Sequence, residues 1–113
     1  MTAVGPVEAH EFDALAKLMR DTIEPLVYYN ERAIAAELTK YTAEKLRAMA
    51  GEDPNAILVA RDGDGLGGFC ISRFDDGTVW LAWFGTAARV RGHGVGAALL
   101  AALAATLPSR HAH

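Results

Sequence analysis

Three apolar runs, divided by two Asp/Gly turns, restrict the fold of this chain more than any other feature. Residues 56–60, 68–74 and 78–84 are rich in aliphatic and aromatic side chains and each has the length of a strand. Residues 62–65 (Asp-Gly-Asp-Gly) and 75–77 (Asp-Asp-Gly) separate them. Asp and Gly tolerate the positive φ angles that tight hairpins need. The spacing predicts an antiparallel meander of three strands. The third run is apolar on both faces, which predicts a place in the middle of a sheet.

The N-terminal half has a helical period. Phe12, Leu15, Leu18, Met19 and Ile23 share one face, and Pro25 limits that helix. Residues 3–8 precede it as a short strand whose Pro6 suits a sheet edge. Residues 26–29 read as a loop. Asn30 then has the chemistry of an N-cap, with Glu31 in the first turn. Ile34, Leu38, Tyr41, Leu46 and Met49 continue an apolar stripe to a stop at Gly51 and Pro54, with a break into two helices at residues 39–42. After the meander, residues 85–90 lead to a glycine cluster and a helix over 95–107, ended by Pro108. Val95, Leu99, Leu100, Leu103 and Leu107 line one face, and Ala fills most of the rest. A helix apolar all round is buried or awaits a partner.

The cluster is Arg91, Gly92, His93, Gly94, Val95 and Gly96. Anion binding by a backbone needs several N–H groups converging at a helix N-terminus, where the dipole is also favourable. Glycines let a ligand approach such a turn closely. Arg91 adds a cation able to pair bidentately with a phosphate. A Walker loop is excluded, because no Lys-Ser/Thr follows the glycines. The dinucleotide fingerprint fits Gly92, Gly94 and Ala97, but it also needs an acidic residue on a later strand, and none follows. The remaining pattern, Arg/Gln-x-x-Gly-x-Gly/Ala, is matched in full by residues 91–96.

That pattern, in the order strand–turn–strand–turn–strand–glycine turn–helix, resembles motif A of the GNAT N-acetyltransferase superfamily. The resemblance is strongest over residues 56–107 and rests over residues 1–55 on element order alone. It implies an α/β (α+β) fold, a mixed, mostly antiparallel sheet with flanking helices, in a single domain over residues 1–113. It implies acetyl-CoA as acyl donor. The coenzyme would lie on Arg91, Gly92, His93, Gly94, Val95 and Gly96, with its pantetheine arm beside the strand end at Phe84, Gly85 and Thr86. For His93 the expected donor is the backbone N–H. A primary amine, small molecule or protein, would be the acceptor. Such an amine has a pKa near 10.4 and must lose a proton before attack.

Two departures accompany the resemblance. The family often carries a glutamate base on the third meander strand, and residues 78–84 contain no acidic side chain. Tyr28, Tyr29, Glu31 and Glu37 are other candidates near the expected acceptor region, and no catalytic residue is assigned. The family also continues with a splayed parallel strand, a helix and two more strands, while this sequence closes on residues 109–113. The resemblance thus covers the N-terminal two-thirds of the domain. The expectation is that the open strand edge and the apolar helix are covered by a second copy, by a complementing polypeptide or by residues beyond this sequence. A CoA-binding or dimerisation module without turnover is the alternative.

Composition limits other classes. With 51% hydrophobic and 22% charged residues the chain is globular rather than disordered. A net charge of −3 supplies no general field for nucleic acid. Arg89, Arg91 and Arg110 leave room for a local basic site. A single cysteine, Cys70, excludes an intrachain disulfide and points to a cytoplasmic chain with a buried thiol. No membrane span or signal peptide is expected. His10, His111 and His113 have no helical metal-pair spacing, so no metal is expected. Of Trp80 and Trp83, at least one should pack in the core.

Overall fold

The computed structural model describes residues 3–26 and 30–111. Strand β1 (Ala3–Pro6) leads through a 3-10 turn at Ala9–Glu11 to helix α1 (Phe12–Ile23). Helices α2 (Glu31–Leu38) and α3 (Ala43–Glu52) follow, then β2 (Ile57–Asp62), β3 (Gly65–Asp75) and β4 (Thr78–Thr86). A second 3-10 turn at Ala88–Val90 precedes α4 (Val95–Ala105) and α5 (Leu107–His111). The sheet order is β1-β2-β3-β4, and every neighbouring pair is antiparallel.

Local chemistry accounts for these boundaries. The Asn30 side chain accepts from the Ala33 N–H at 2.7 Å and starts α2. The expected break at 39–42 is present: Thr42 accepts from the Lys45 N–H at 3.3 Å and begins α3. Asp76 (φ 52°) and Gly77 (φ 76°) both take the left-handed turn that joins β3 to β4. Pro6 lies on an outer strand, as its missing N–H requires. Helix α3 runs through Gly51 to Glu52, one residue past the expected stop.

The sheet has helices on both faces. Phe12, Leu15, Met19, Ile23 and Leu46 from α1 and α3 pack on Ile57, Val59, Phe69 and Ile71. Val95 and Leu99 from α4 pack with Val90 on Leu58, Ala60 and Cys70. Alternate residues of β2 thus serve opposite layers, and the strand is apolar from Ile57 to Ala60.

Two expectations are corrected. The third meander strand is not central: β4 has only β3 as partner among the described residues, and Trp80 (57%) and Leu81 (49%) are exposed. Its apolar character on both faces was the misleading signal. The last helix stops at Ala105, and Pro108 stands in the first turn of α5, where its missing N–H costs nothing. The apolar face of α4 is partly covered, as in a helix that awaits a partner: Val95 and Leu99 are buried while Leu100 (46%) is exposed. No described helix is long and apolar enough to cross a membrane.

Candidate functional site

The end of β4, the second 3-10 turn and the start of α4 form one surface. The Ala87 N–H bonds to the Gly67 carbonyl at 2.8 Å, which ties the strand exit to β3. Val90 turns inward and is buried. Arg89 holds the turn from outside: it donates to Asp62 at 2.8 Å and to the Leu66 carbonyl at 3.1 Å. The Arg89 guanidinium keeps the Asp62 carboxyl below its ordinary range.

The chain then takes two left-handed residues, Gly92 (φ 84°) and Gly94 (φ 79°), and a Cβ at either would meet nothing within 4 Å. Gly94 is the N-cap of α4 and has no side chain to cap it. The helical ladder begins with the Ala98 N–H on the Gly94 carbonyl at 3.0 Å. The N–H groups of Gly94, Val95, Gly96 and Ala97 therefore precede the ladder at the positive end of the helix dipole. Arg91 is exposed beside them and has no ion pair among the described residues. An open, positively polarised turn of this kind suits a phosphate.

Not every residue of the cluster does what the motif suggests. The His93 N–H donates to the Val90 carbonyl at 3.1 Å and closes the turn, so the donor expected to face a ligand is engaged internally. Gly96 answers to packing: a Cβ there would lie 3.1 Å from Phe84 Cζ. Gly85 likewise sits under α1, where a Cβ would meet Thr22 Cγ2 at 2.8 Å. The motif does not name Ala97, whose N–H also lies in the first turn of α4 ahead of the helical ladder. Phe84 and Thr86 are half-buried on a strand whose outer edge carries no partner among the described residues.

The other candidates separate. Tyr28 and Tyr29 lie outside the described residues. Glu31 is exposed in the first turn of α2. Glu37 is brought to β4: it accepts from Trp83 Nε1 at 2.9 Å and from Lys40 Nζ at 2.7 Å. Lys40, then Trp83, hold its carboxyl below the ordinary range. Burial, reinforced by Glu37, pushes the neighbouring Tyr41 phenol up. Trp83 is thus the packed tryptophan, with its indole on the α1–α3 side, and Trp80 is the exposed one.

The local basic site does not form. Arg89 is paired with Asp62, and Arg110, 3% exposed, donates to Asp53 and Ser72. Only Arg91 of the three faces outward unpaired. Glu8, His10 and Glu11 come together, with ligand atoms within 4.8 Å of one another. The Glu11 carboxylate, however, already accepts from Arg61 Nε and Nη2, each at 2.8 Å, and from the Glu8 N–H. Cys70 is buried, and burial pushes its thiol up to about 11.

The sequence profile of the Acetyltransferase (GNAT) family matches residues 15–113. The chain belongs to this family. Comparison with curated proteins gives no match. Among solved structures, the PaiA N-acetyltransferase from Thermoplasma acidophilum in complex with coenzyme A superposes with a TM-score of 0.82 at 17% identity, over 98% of this chain and 74% of that one. Ard1 from Thermoplasma volcanium gives 0.69 at 16%, over 96% and 64%. Ribosomal-protein-alanine N-acetyltransferase from Brucella melitensis gives 0.71 at 20%, over 96% and 68%. At these identities the likeness is one of fold. This GNAT chain carries the glycine turn and the four antiparallel strands, and it spans about two-thirds to three-quarters of those three proteins.

Proposed function

We propose that this GNAT chain binds acetyl-CoA on the turn at residues 91–97 and takes part in transfer of the acetyl group to a primary amine. One observation carries the reading: Gly92 and Gly94 hold an unobstructed left-handed turn onto the uncapped N-terminus of α4. The donor set is chemically suited to a pyrophosphate. Gly94, Val95, Gly96 and Ala97 would offer N–H groups, and Arg91 a guanidinium. Phe84, Gly85 and Thr86 would border the pantetheine arm along the free edge of β4. The thioester supplies the activated acetyl group; the chain binds, orients and stabilises charge with backbone N–H groups. The same PaiA relative was solved with coenzyme A, which supports this choice of donor. The reading takes the chain to be cytoplasmic, in line with a single cysteine.

Calorimetric titration with coenzyme A tests the reading. Arg91→Ala should weaken binding by about tenfold, the value of one charge-assisted contact of ~1.5 kcal/mol. No heat with wild-type chain at millimolar ligand would reject it.

A second reading, a module that binds coenzyme or dimerises without turnover, is favoured by one specific point. Strand β4 has no acidic side chain, and the Glu37 carboxylate is already taken up by hydrogen bonds from Lys40 and Trp83. Release of free thiol from acetyl-CoA with mixed amines distinguishes the two. Both readings expect the edge of β4, with Trp80 and Leu81, to be covered by a second copy, by a complementing polypeptide or by residues beyond this sequence. A sedimenting monomer at micromolar concentration with a cooperative melt would count against that.

A further inference from the structure

The glycine turn is held from two sides. On its C-terminal side α4 begins, and the Phe84 ring fills the space beside Gly96. On its N-terminal side the ties all run to one place, the β2–β3 hairpin over residues 62–67. The Ala87 N–H reaches the Gly67 carbonyl at 2.8 Å. The Val90 methyls stand 3.5 Å from where a Cβ on Gly67 would lie. Arg89 gives Nη1 to Asp62 Oδ2 at 2.8 Å and Nη2 to the Leu66 carbonyl at 3.1 Å.

Asp62 is fixed independently of Arg89. Its Oδ1 accepts the Asp64 N–H at 2.8 Å, so the hairpin itself orients the carboxylate. Its side chain is the more sheltered of the pair, 15% exposed against 36% for Arg89. Arg89 in turn sits where the glycine turn is closed. The Arg91 N–H bonds to the Ala88 carbonyl at 3.3 Å, and the His93 N–H to the Val90 carbonyl at 3.1 Å. The backbone of Arg89 lies between those two accepting carbonyls. Holding its side chain therefore holds the peptide groups from which residues 91–93 hang.

Charge and order act on this site in opposite senses. A carboxylate near an anion site repels the anion, and Asp62 also occupies a cation two residues from Arg91. By Coulomb's law alone, removing Asp62 strengthens anion binding. A turn already in its bound shape, however, loses less freedom when a ligand arrives. We propose that Asp62 is a positioning residue for the pyrophosphate of coenzyme A: acting through Arg89, it keeps the turn at residues 91–94 in its binding shape, and this ordering outweighs its repulsion of the phosphates. This rests on the coenzyme reading above. Asp62 itself touches no ligand.

Calorimetric titration of the full chain with coenzyme A reads the sign. Asp62→Ala should weaken binding about threefold, the scale of one partly exposed ion pair, and Arg89→Ala at least as much. The double variant should stay weaker than wild type and no weaker than Arg89→Ala, because the two side chains act as one link. Asp62→Asn keeps an oxygen for Arg89 and should fall between wild type and Asp62→Ala. Charge alone predicts another pattern: tighter binding in Asp62→Ala and Asp62→Asn, weaker in Arg89→Ala, and wild-type affinity in the double variant. That pattern, or an unchanged affinity in Asp62→Ala, would overturn the proposal. A second measurement needs no ligand. Amide exchange of His93 in the free chain should quicken about threefold in Asp62→Ala and Arg89→Ala, while the buried Phe69 and Leu99 keep their protection. Unchanged His93 exchange would also overturn it. A wild-type chain that takes up no coenzyme A, with His93 exchange still dependent on Asp62, removes the coenzyme reading and leaves the Asp62–Arg89 link as the device that orders the turn.

Discussion

The Phe84 ring occupies the space a side chain on Gly96 would need, with Cζ 3.1 Å from the position of a Cβ. This single approach locks the start of α4 onto the end of β4. The glycine pattern of the motif is therefore partly a packing requirement. Gly96→Ala should gain at most ~1 kcal/mol of helix propensity and lose ~1–3 kcal/mol to overpacking. Urea unfolding should show net destabilisation, reversed in part when Phe84→Leu is added. A more stable Gly96→Ala chain would refute the packing role.

Gly94 poses the opposite case. A Cβ there meets nothing, yet φ is 79°. Gly94→Ala should cost ~1–2 kcal/mol through backbone strain alone. Gly94→Asn should cost less, because Asn tolerates this region. Equal melting points for the two variants would show that strain is not the issue.

The legible part of the fold was set by local chemistry. Asn30, the Asp76–Gly77 turn and the break before Thr42 all act through neighbours a few residues away, and the spacing exposed them. The same holds for Gly92 and Gly94. What escaped depends on distant partners. Nothing in residues 78–84 tells an outer strand from a central one when both faces are apolar. Nothing near Arg110 names Asp53, 57 positions away, or Ser72. The His93 N–H bonds three residues back to Val90, a detail of turn geometry that a motif does not carry.

Arg110 anchors α5 from the far side of the chain. Its guanidinium gives Nε and Nη2 to Asp53 Oδ2 at 3.1 and 2.8 Å and Nη1 to Ser72 Oγ at 2.8 Å. It also lies 5.9 Å from the Phe74 ring centre. Arg110→Met should destabilise by ~1.5–3 kcal/mol, the range for charged hydrogen bonds. The loss stays below the ~3–5 kcal/mol of a fully buried broken pair, because the Asp53 side chain is 34% exposed and rehydrates. Hydrogen exchange should show α5 opening while β2 and β3 stay protected. Unchanged exchange in α5 would rule out the anchoring role.

Cys70 should be inert in the folded chain. Its thiol is pushed up to about 11 and is fully buried. At pH 8 on the order of one thiol in a thousand is ionised, and thiolate is the reactive form. An aromatic disulfide reagent should therefore label Cys70 only at the rate of unfolding, and quickly in urea. Rapid labelling under native conditions would show that the packing of α4 on the sheet opens readily.

Glu11 links stability to acid. The Arg61 hydrogen bonds hold its carboxyl below the ordinary value, against a weaker opposing effect of burial. A group that binds its proton more weakly when folded stabilises the fold fully above its unfolded pKa, about 4.3. That contribution fades as the pH falls through the lower folded value. The Glu11 side chain is 8% exposed and Arg61 27%, so solvent screens the pair only in part. Glu11→Gln should cost ~1.5–3 kcal/mol at pH 7. The gap between wild-type and variant should then narrow steadily below about pH 4. Urea midpoints for the two chains between pH 7 and pH 2.5 measure this directly. A gap that stays constant to pH 2.5 would mean that the Glu11 charge contributes nothing and that the variant suffers only from altered shape.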